Sequence, residues 1–202
     1  MVQKATRRYV VLDRDGTLNV ERKYLSDPAQ LELLPSVIDG LRLLQNHNFG
    51  LVVVSNQSGI GRGIVGRDVV ERTNARLEEL LYGQGIVLGG MYYCPHRPDE
   101  FCACRKPNPA MLEQAARDFG FDPSESFVIG DKASDVEMGH RAGAQTIVVL
   151  TGYGRTLNLK SSRPDFVAEN LVEAATFVIH SARNGTSQRL GIDPKHARDE
   201  IL

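Results

Sequence analysis

Short apolar runs without polar alternation recur along the chain, and each ends on a polar or acidic residue. Tyr9-Val10-Val11-Leu12 ends at Asp13, and Leu51-Val52-Val53-Val54 ends at Ser55. Phe127-Val128-Ile129 ends at Gly130-Asp131, and Thr146-Ile147-Val148-Val149-Leu150 ends at Thr151-Gly152. Such runs predict strands buried on both faces of a parallel sheet. Between them, apolar residues recur at helical spacing. Val37, Ile38, Leu41, Leu43 and Leu44 share one face that fades near Asn48, and a second helix is predicted over residues 69–81. Pro109 suits the first turn of a helix reaching Phe119, residues 135–142 form a short helix closed by Gly143, and a last helix covers residues 172–182. Alternating strands and helices predict an α/β fold, a Rossmann-like parallel sheet flanked by helices. Residues 94–108 break the alternation and read as an inserted loop. The expected organisation is one domain over residues 1–182 with a polar tail over residues 183–202.

Composition narrows the function classes. The 202 residues are 42% hydrophobic and 24% charged, enough for a full core without cross-links. Lys plus Arg is 24 and Asp plus Glu is 25. No net field exists to gather nucleic acid or an anionic membrane, so neither is expected as a partner. No apolar run approaches the length of a membrane span. The basic N-terminal segment meets only Tyr9, Val10, Val11 and Leu12 before Asp13, which is too short for a secretory signal, so a cytoplasmic protein is expected.

The chemistry gathers at the predicted strand ends, where α/β sheets bind ligands. Asp13-Arg14-Asp15-Gly16-Thr17-Leu18 follows the first strand. A carboxylate is ionised at neutral pH and needs no helper base to act as a nucleophile. The second carboxylate, two residues on, can serve as acid and base. A bare Asp-x-Asp is more often a solvated loop; the full string after a buried strand favours chemistry. Close carboxylates ask for a hard cation such as Mg2+, whose shell Asp131 is placed to complete. Ser55-Asn56-Gln57-Ser58-Gly59 offers a hydroxyl and amides to phosphoryl oxygens, or is simply a polar turn. Lys106 suits a transferring phosphoryl group, and the Arg105 fork suits a second phosphate. Asp135 either holds Lys132 or caps the following helix. Gly61, Gly63 and Gly66 mimic a dinucleotide fingerprint but lie too far past the strand, and read as a flexible loop. Cys94, His96, Cys102 and Cys104 are four nitrogen and sulfur donors without a carboxylate, which fits a closed, structural Zn2+ site. His47, His140, His180 and His196 read as surface or helix-end residues.

Asp13-Arg14-Asp15-Gly16-Thr17, Ser55-Asn56-Gln57-Ser58-Gly59, Lys106 and Gly130-Asp131 resemble the four motifs of the haloacid dehalogenase-like phosphatases, over residues 9–182. The zinc loop followed by Cys104-Arg105-Lys106-Pro107 is similar to the branch holding heptose bisphosphate 7-phosphatases and histidinol-phosphate phosphatases. Asn56-Gln57-Ser58-Gly59-Ile60-Gly61-Arg62-Gly63 and Tyr92-Tyr93-Cys94-Pro95-His96 look more like the heptose enzymes. The five residues between His96 and Cys102, and Ser55 where Thr is usual, pull the other way.

The resemblance implies a small zinc loop in place of a large cap domain, and a monomer acting on a small phosphorylated sugar for lipopolysaccharide core synthesis. It makes Asp13 the nucleophile and Asp15 the acid and base. Mg2+ falls to Asp13, Asp131 and the carbonyl of Asp15, and the phosphoryl group to Ser55 and Lys106. Glu21, Arg22, Lys23, Tyr24, Asn56, Gln57, Ser58, Arg105 and Lys132 surround the rest of the substrate. The alternatives are a histidinol-phosphate phosphatase and, in another class, a non-catalytic zinc-bearing binding module. A polynucleotide 3'-phosphatase would want a basic groove, which the balanced charge disfavours.

Overall fold

The computed structural model of the protein describes residues 7–189. Six parallel strands form one sheet: β1 (Tyr9–Leu12), β2 (Gly50–Asn56), β3 (Gly90–Cys94), β4 (Phe127–Gly130), β5 (Gln145–Val149) and β6 (Phe166–Ala168), in the order β3-β2-β1-β4-β5-β6. The helices are α1 (Val37–Asn46), α2 (Arg67–Tyr82), α3 (Ala110–Phe119), α4 (Ala133–Ala142), α5 (Leu159–Ser162) and α6 (Leu171–Arg189), with short 3-10 turns in the loops. The strand order reverses direction between β1 and β4, which pair as Val11 with Val128 and Leu12 with Ile129. A crevice forms where the crossovers diverge from such a switch point.

Side-chain alternation along the buried strands splits the core into two layers. Val10 and Leu12 pack with Leu41 and Leu44 of α1, Leu77 and Leu81 of α2, and Ala174 and Val178 of α6. Tyr9 and Val11 face the other way, onto Leu112 and Ala115 of α3 and Met138 of α4. Thus α1, α2 and α6 cover one face, and α3 and α4 the other. No large cap domain is present among the described residues; loops alone cover the strand ends. Among those residues, no helix is long and apolar enough to cross a membrane.

The structure departs from the sequence reading at several points, among them the short helix α5, which was not expected. The strands β3 and β6 were not expected. Both lie at the sheet edges, and except for their last residues they are only half-buried, so they lack the continuous apolar run that betrays an interior strand. Cys94 therefore ends a strand instead of opening a loop. The last helix runs to Arg189, so the expected boundary at residue 182 falls inside α6; residues 190–202 of the expected tail, with His196, lie outside the described residues.

Leu41 is fully buried between α1 and the sheet layer shared with α6. Leu41→Ala is expected to cost about 2–5 kcal/mol through lost transfer energy and a cavity. Denaturant unfolding monitored by circular dichroism measures it; a loss below about 1 kcal/mol would show that the layer repacks freely.

Candidate active site

The strand ends bring Asp13 and Asp131 side by side. Asp13 continues β1, with its N–H donating to Ile129 O of β4 at 2.9 Å, and Asp131 follows β4. Asp131 is fully buried because two glycines leave room for it. A Cβ on Gly16 or on Gly152 would strike its Oδ2, and both residues have positive φ, 85° and 49°. Thr151 Oγ1 ties the two loops together by donating to Gly16 O at 2.6 Å, and Tyr153 N–H donates to Asp131 Oδ2 at 2.8 Å. The second oxygen, Asp131 Oδ1, is buried and makes no hydrogen bond. Burial and then the neighbouring Asp13 charge push Asp131 up to about 7.

Two lysines compensate this concentration of carboxylates. Lys106 Nζ lies 2.8 Å from Asp13 Oδ1, 2.7 Å from Asp135 Oδ1 and 2.7 Å from the Val54 carbonyl, all of it buried. Burial pulls Lys106 down, but the charges of Asp13 and Asp135 outweigh it and leave its pKa raised. Asp135 Oδ2 also accepts from Lys132 N–H at 3.1 Å, at the start of α4. Of the two roles considered for Asp135, helix capping is therefore present, and the ammonium its side chain pairs with is Lys106, not Lys132. Lys132 Nζ sits 3.4 Å from Asp131 Oδ1, 3.7 Å from Asp13 Oδ2, 3.3 Å from the Asp15 carbonyl and 3.0 Å from Glu21 Oε2. Its pKa is raised: burial lowers it, and Asp13, Asp131 and Glu21 more than offset that.

Asp13, Asp131 and Asp135 bring carboxylate oxygens within 4.8 Å of one another. With Asp135 committed to Lys106, the oxygens gathered around the Lys132 ammonium are those of Asp13, Asp131, Glu21 and the Asp15 carbonyl. An all-oxygen set with one orphaned buried carboxylate oxygen fits a hard divalent cation such as Mg2+.

Asp15 is held from three sides. Asn19 Nδ2 donates to Oδ1 at 2.9 Å, Gln57 Nε2 donates to Oδ2 at 2.8 Å, and the Arg14 guanidinium forks onto both oxygens at 2.9–3.2 Å. Burial raises its pKa, but the Arg14 charge and these donors outweigh it and leave it lowered. Gln57 also donates to Ser55 Oγ at 2.5 Å. Asn56 clamps the backbone of Lys106 reciprocally, each bond 3.1 Å.

A cavity of about 420 Å³ opens over these groups. Asp13, Asp15, Glu21, Lys23, Tyr24, Asn56, Gln57, Ser58, Arg105, Lys106 and Lys132 line it. Arg22 does not: its guanidinium pairs with Glu32, 2.9 Å away, and lies outside the lining. Ser55 and Asp131 are buried behind the lining rather than in it. Sequence reasoning missed Gly59, Ser134 and Tyr153 of the lining. Tyr153 follows β5, and the rule that ligands gather at strand ends pointed to Thr151 there without reaching it.

At the rim, Cys94, His96, Cys102 and Cys104 converge. Their sulfurs lie 3.2–3.5 Å apart, and His96 Nδ1 is 3.2 Å from Cys104 Sγ. A tetrahedral ion with Zn–S bonds near 2.3 Å spaces its sulfurs about 3.8 Å apart. Arg105 Nη1 donates to His96 O at 3.2 Å, which joins this cluster to the cavity wall.

Comparisons with known proteins agree with this geometry. Residues 103–174 match the family model described as HAD-hydrolase-like. The chain is 35% identical over 180 residues to D-glycero-beta-D-manno-heptose-1,7-bisphosphate 7-phosphatase of Haemophilus ducreyi, covering 85% of this chain and 98% of that protein. It is 39% identical over 184 residues to D-glycero-D-manno-heptose-1,7-bisphosphate 7-phosphatase of Chlorobaculum tepidum, covering 84% and 92%. Among solved structures, D,D-heptose 1,7-bisphosphate phosphatase from B. bronchiseptica, complexed with magnesium and phosphate, superposes with a TM-score of 0.80 at 29% identity, over 87% of this chain and 99% of that one.

The raised Asp131 gives a pH test of the cation cradle. An unfolded chain releases this proton near 3.8, the native protein near 7. Between those values the native state binds more protons, so this group's contribution to stability falls as pH rises. A bound cation replaces the proton. Mg2+ is expected to raise the melting temperature more at about pH 8 than at about pH 5, and Asp131→Asn is expected to remove that difference. Equal shifts at both pH values in calorimetry would argue against Asp131 as a ligand.

Proposed function

Since the chain belongs to the haloacid dehalogenase-like hydrolases, we propose that it is a Mg2+-dependent phosphatase that removes the 7-phosphate of D-glycero-D-manno-heptose 1,7-bisphosphate. The reaction would supply activated heptose for lipopolysaccharide core. The observation that carries the reading is Asp13 at the end of β1, paired with Lys106 and flanked by the orphaned oxygen of Asp131.

In this mechanism an Asp13 carboxylate oxygen attacks phosphorus and the bond to the sugar oxygen breaks. Asp15 gives that oxygen a proton, then takes one from the water that attacks the aspartyl-phosphate. When bound, Mg2+ at Asp13, Asp131 and the Asp15 carbonyl supplies positive charge to the phosphoryl oxygens. Lys106 neutralises the phosphoryl group from the protein side, and Ser55 reaches it only if its hydroxyl turns from Gln57. Asn56 acts through Lys106, whose backbone it clamps. Glu21, Lys23, Tyr24, Gln57, Ser58, Arg105 and Lys132 receive the rest of the substrate, and the Arg105 fork suits the phosphate that is not cleaved. We assign the Cys94, His96, Cys102 and Cys104 cluster a structural Zn2+, which orders a loop that has little apolar sequence of its own.

Phosphate release from heptose 1,7-bisphosphate is expected to exceed that from histidinol phosphate, with Asp13→Asn reducing both to background while the fold survives. Preference for histidinol phosphate would overturn the substrate, and turnover by Asp13→Asn would overturn the covalent step. Arg105→Ala is expected to lower kcat/KM for the bisphosphate by about tenfold to a hundredfold, and for a small monophosphate far less. Equal losses would place Arg105 at the reacting phosphate.

Metal analysis of protein purified without chelator is expected to give about one Zn2+ per chain. Cys102→Ser is expected to lower that content and to raise KM through the Arg105 link to His96. Zinc-free parent protein would remove the metal assignment.

A further inference from the structure

Arg14 is a costly residue to place where it lies. Its side chain is only 3% exposed, and a guanidinium is buried without penalty only if its donors are met. The loop does not need it: Thr17, Leu18 and Asn19 all donate their N–H groups to the Arg14 carbonyl, so the backbone alone closes this turn. The side chain does something else. Its Nε and Nη2 fork onto both oxygens of the adjacent Asp15, and its Nη1 donates to Asn74 Oδ1 at 2.7 Å. Neighbouring side chains in extended backbone point apart; here the chain bends at Arg14, just after β1, and the two side chains meet. Asn74 stands on α2 and does not line the cavity, so a rigid helix anchors the fork.

We propose that Arg14 is a positioning residue for Asp15: braced on Asn74, its guanidinium aims the Asp15 carboxyl group at the ester oxygen that leaves phosphorus. This rests on the phosphatase reading above. When Asp13 bonds to phosphorus, the electron pair of the breaking P–O bond goes to the sugar oxygen, and Asp15 completes the alcohol with a proton it takes up as the phosphate charge enters, since Arg14 holds it as a carboxylate beforehand. A sugar alkoxide departs poorly without that proton, whereas p-nitrophenolate is a stable anion and needs none. A misaimed Asp15 therefore harms the two classes of substrate unequally. The same carboxylate must later take a proton from water, so hydrolysis of the aspartyl-phosphate slows for both.

The test compares parent, Arg14→Gln, Arg14→Lys and Asn74→Leu on the sugar bisphosphate and on p-nitrophenyl phosphate. Arg14→Gln is expected to lose about a hundredfold or more in kcat/KM on the sugar ester, and under about threefold on the aryl ester, with a burst of p-nitrophenol before a slow steady state. KM for the aryl ester is expected to fall in step with kcat, as slowed breakdown of a covalent intermediate requires, and Mg2+ affinity by calorimetry to stay near the parent value. Arg14→Lys is expected to fall between, because an ammonium cannot fork. Asn74→Leu is expected to show the same inequality more weakly, and carries the test if the Arg14 variants do not fold. Equal losses on both esters, loss of Mg2+ affinity, or an unchanged Asn74→Leu alongside misfolded Arg14 variants would overturn the proposal. If the parent instead hydrolyses histidinol phosphate, the substrate reading has failed and the same comparison runs on that alkyl ester. A parent inactive on every ester would overturn both.

Discussion

Mutual repulsion among Asp13, Asp131 and Asp135 is the constraint around which this molecule is arranged. Three carboxylates share a space where their oxygens lie within 4.8 Å, and all three are buried. Like charges so placed cannot all ionise without compensation. The fold supplies two fixed cations. Lys106 answers Asp13 and Asp135, and Lys132 answers Asp131, Asp13 and Glu21. Even so, Asp131 Oδ1 makes no hydrogen bond, and the Lys132 ammonium stands 3.4 Å from it. A buried carboxylate oxygen so weakly answered favours a hard cation, and it lies beside Asp13.

The sheet explains why these charges tolerate their burial. Asp13 and Asp131 follow the carboxyl ends of β1 and β4, Lys132 and Asp135 stand at the start of α4, and the loop residue Lys106 is tied to the end of β2 through Asn56. Gly16 and Gly152 then let two loops close over Asp131 nearer than any side chain would allow. Around this rigid floor the walls are loops. Their order comes from polar ties, such as Asn56 to the Lys106 backbone and Arg105 to the His96 carbonyl. The Cys and His cluster sits at the root of one wall.

The chain by itself determined the layer architecture. The apolar runs ending at Asp13, Ser55 and Asp131 require strands buried on both faces, and helical spacing between them requires crossovers. It also determined the chemical type of the site, since two carboxylates in Asp13-Arg14-Asp15-Gly16-Thr17 and the Cys and His donors have few alternative uses. Local pattern could not reach β3 and β6, because edge strands are half-exposed and lose the apolar signal. Nor could it assign partners across the sequence. Asp135 lies beside Lys132 in the chain but pairs through its side chain with Lys106. Asn56 reads as a substrate contact but braces Lys106, and Arg22 sits among lining residues yet faces Glu32. Arg14 stands between two acids in the chain, and only the packing of α2 brings Asn74 to it. Residue types and periodicity are carried by the chain, whereas the direction of each side chain, and so which charges meet, is set only when distant segments pack.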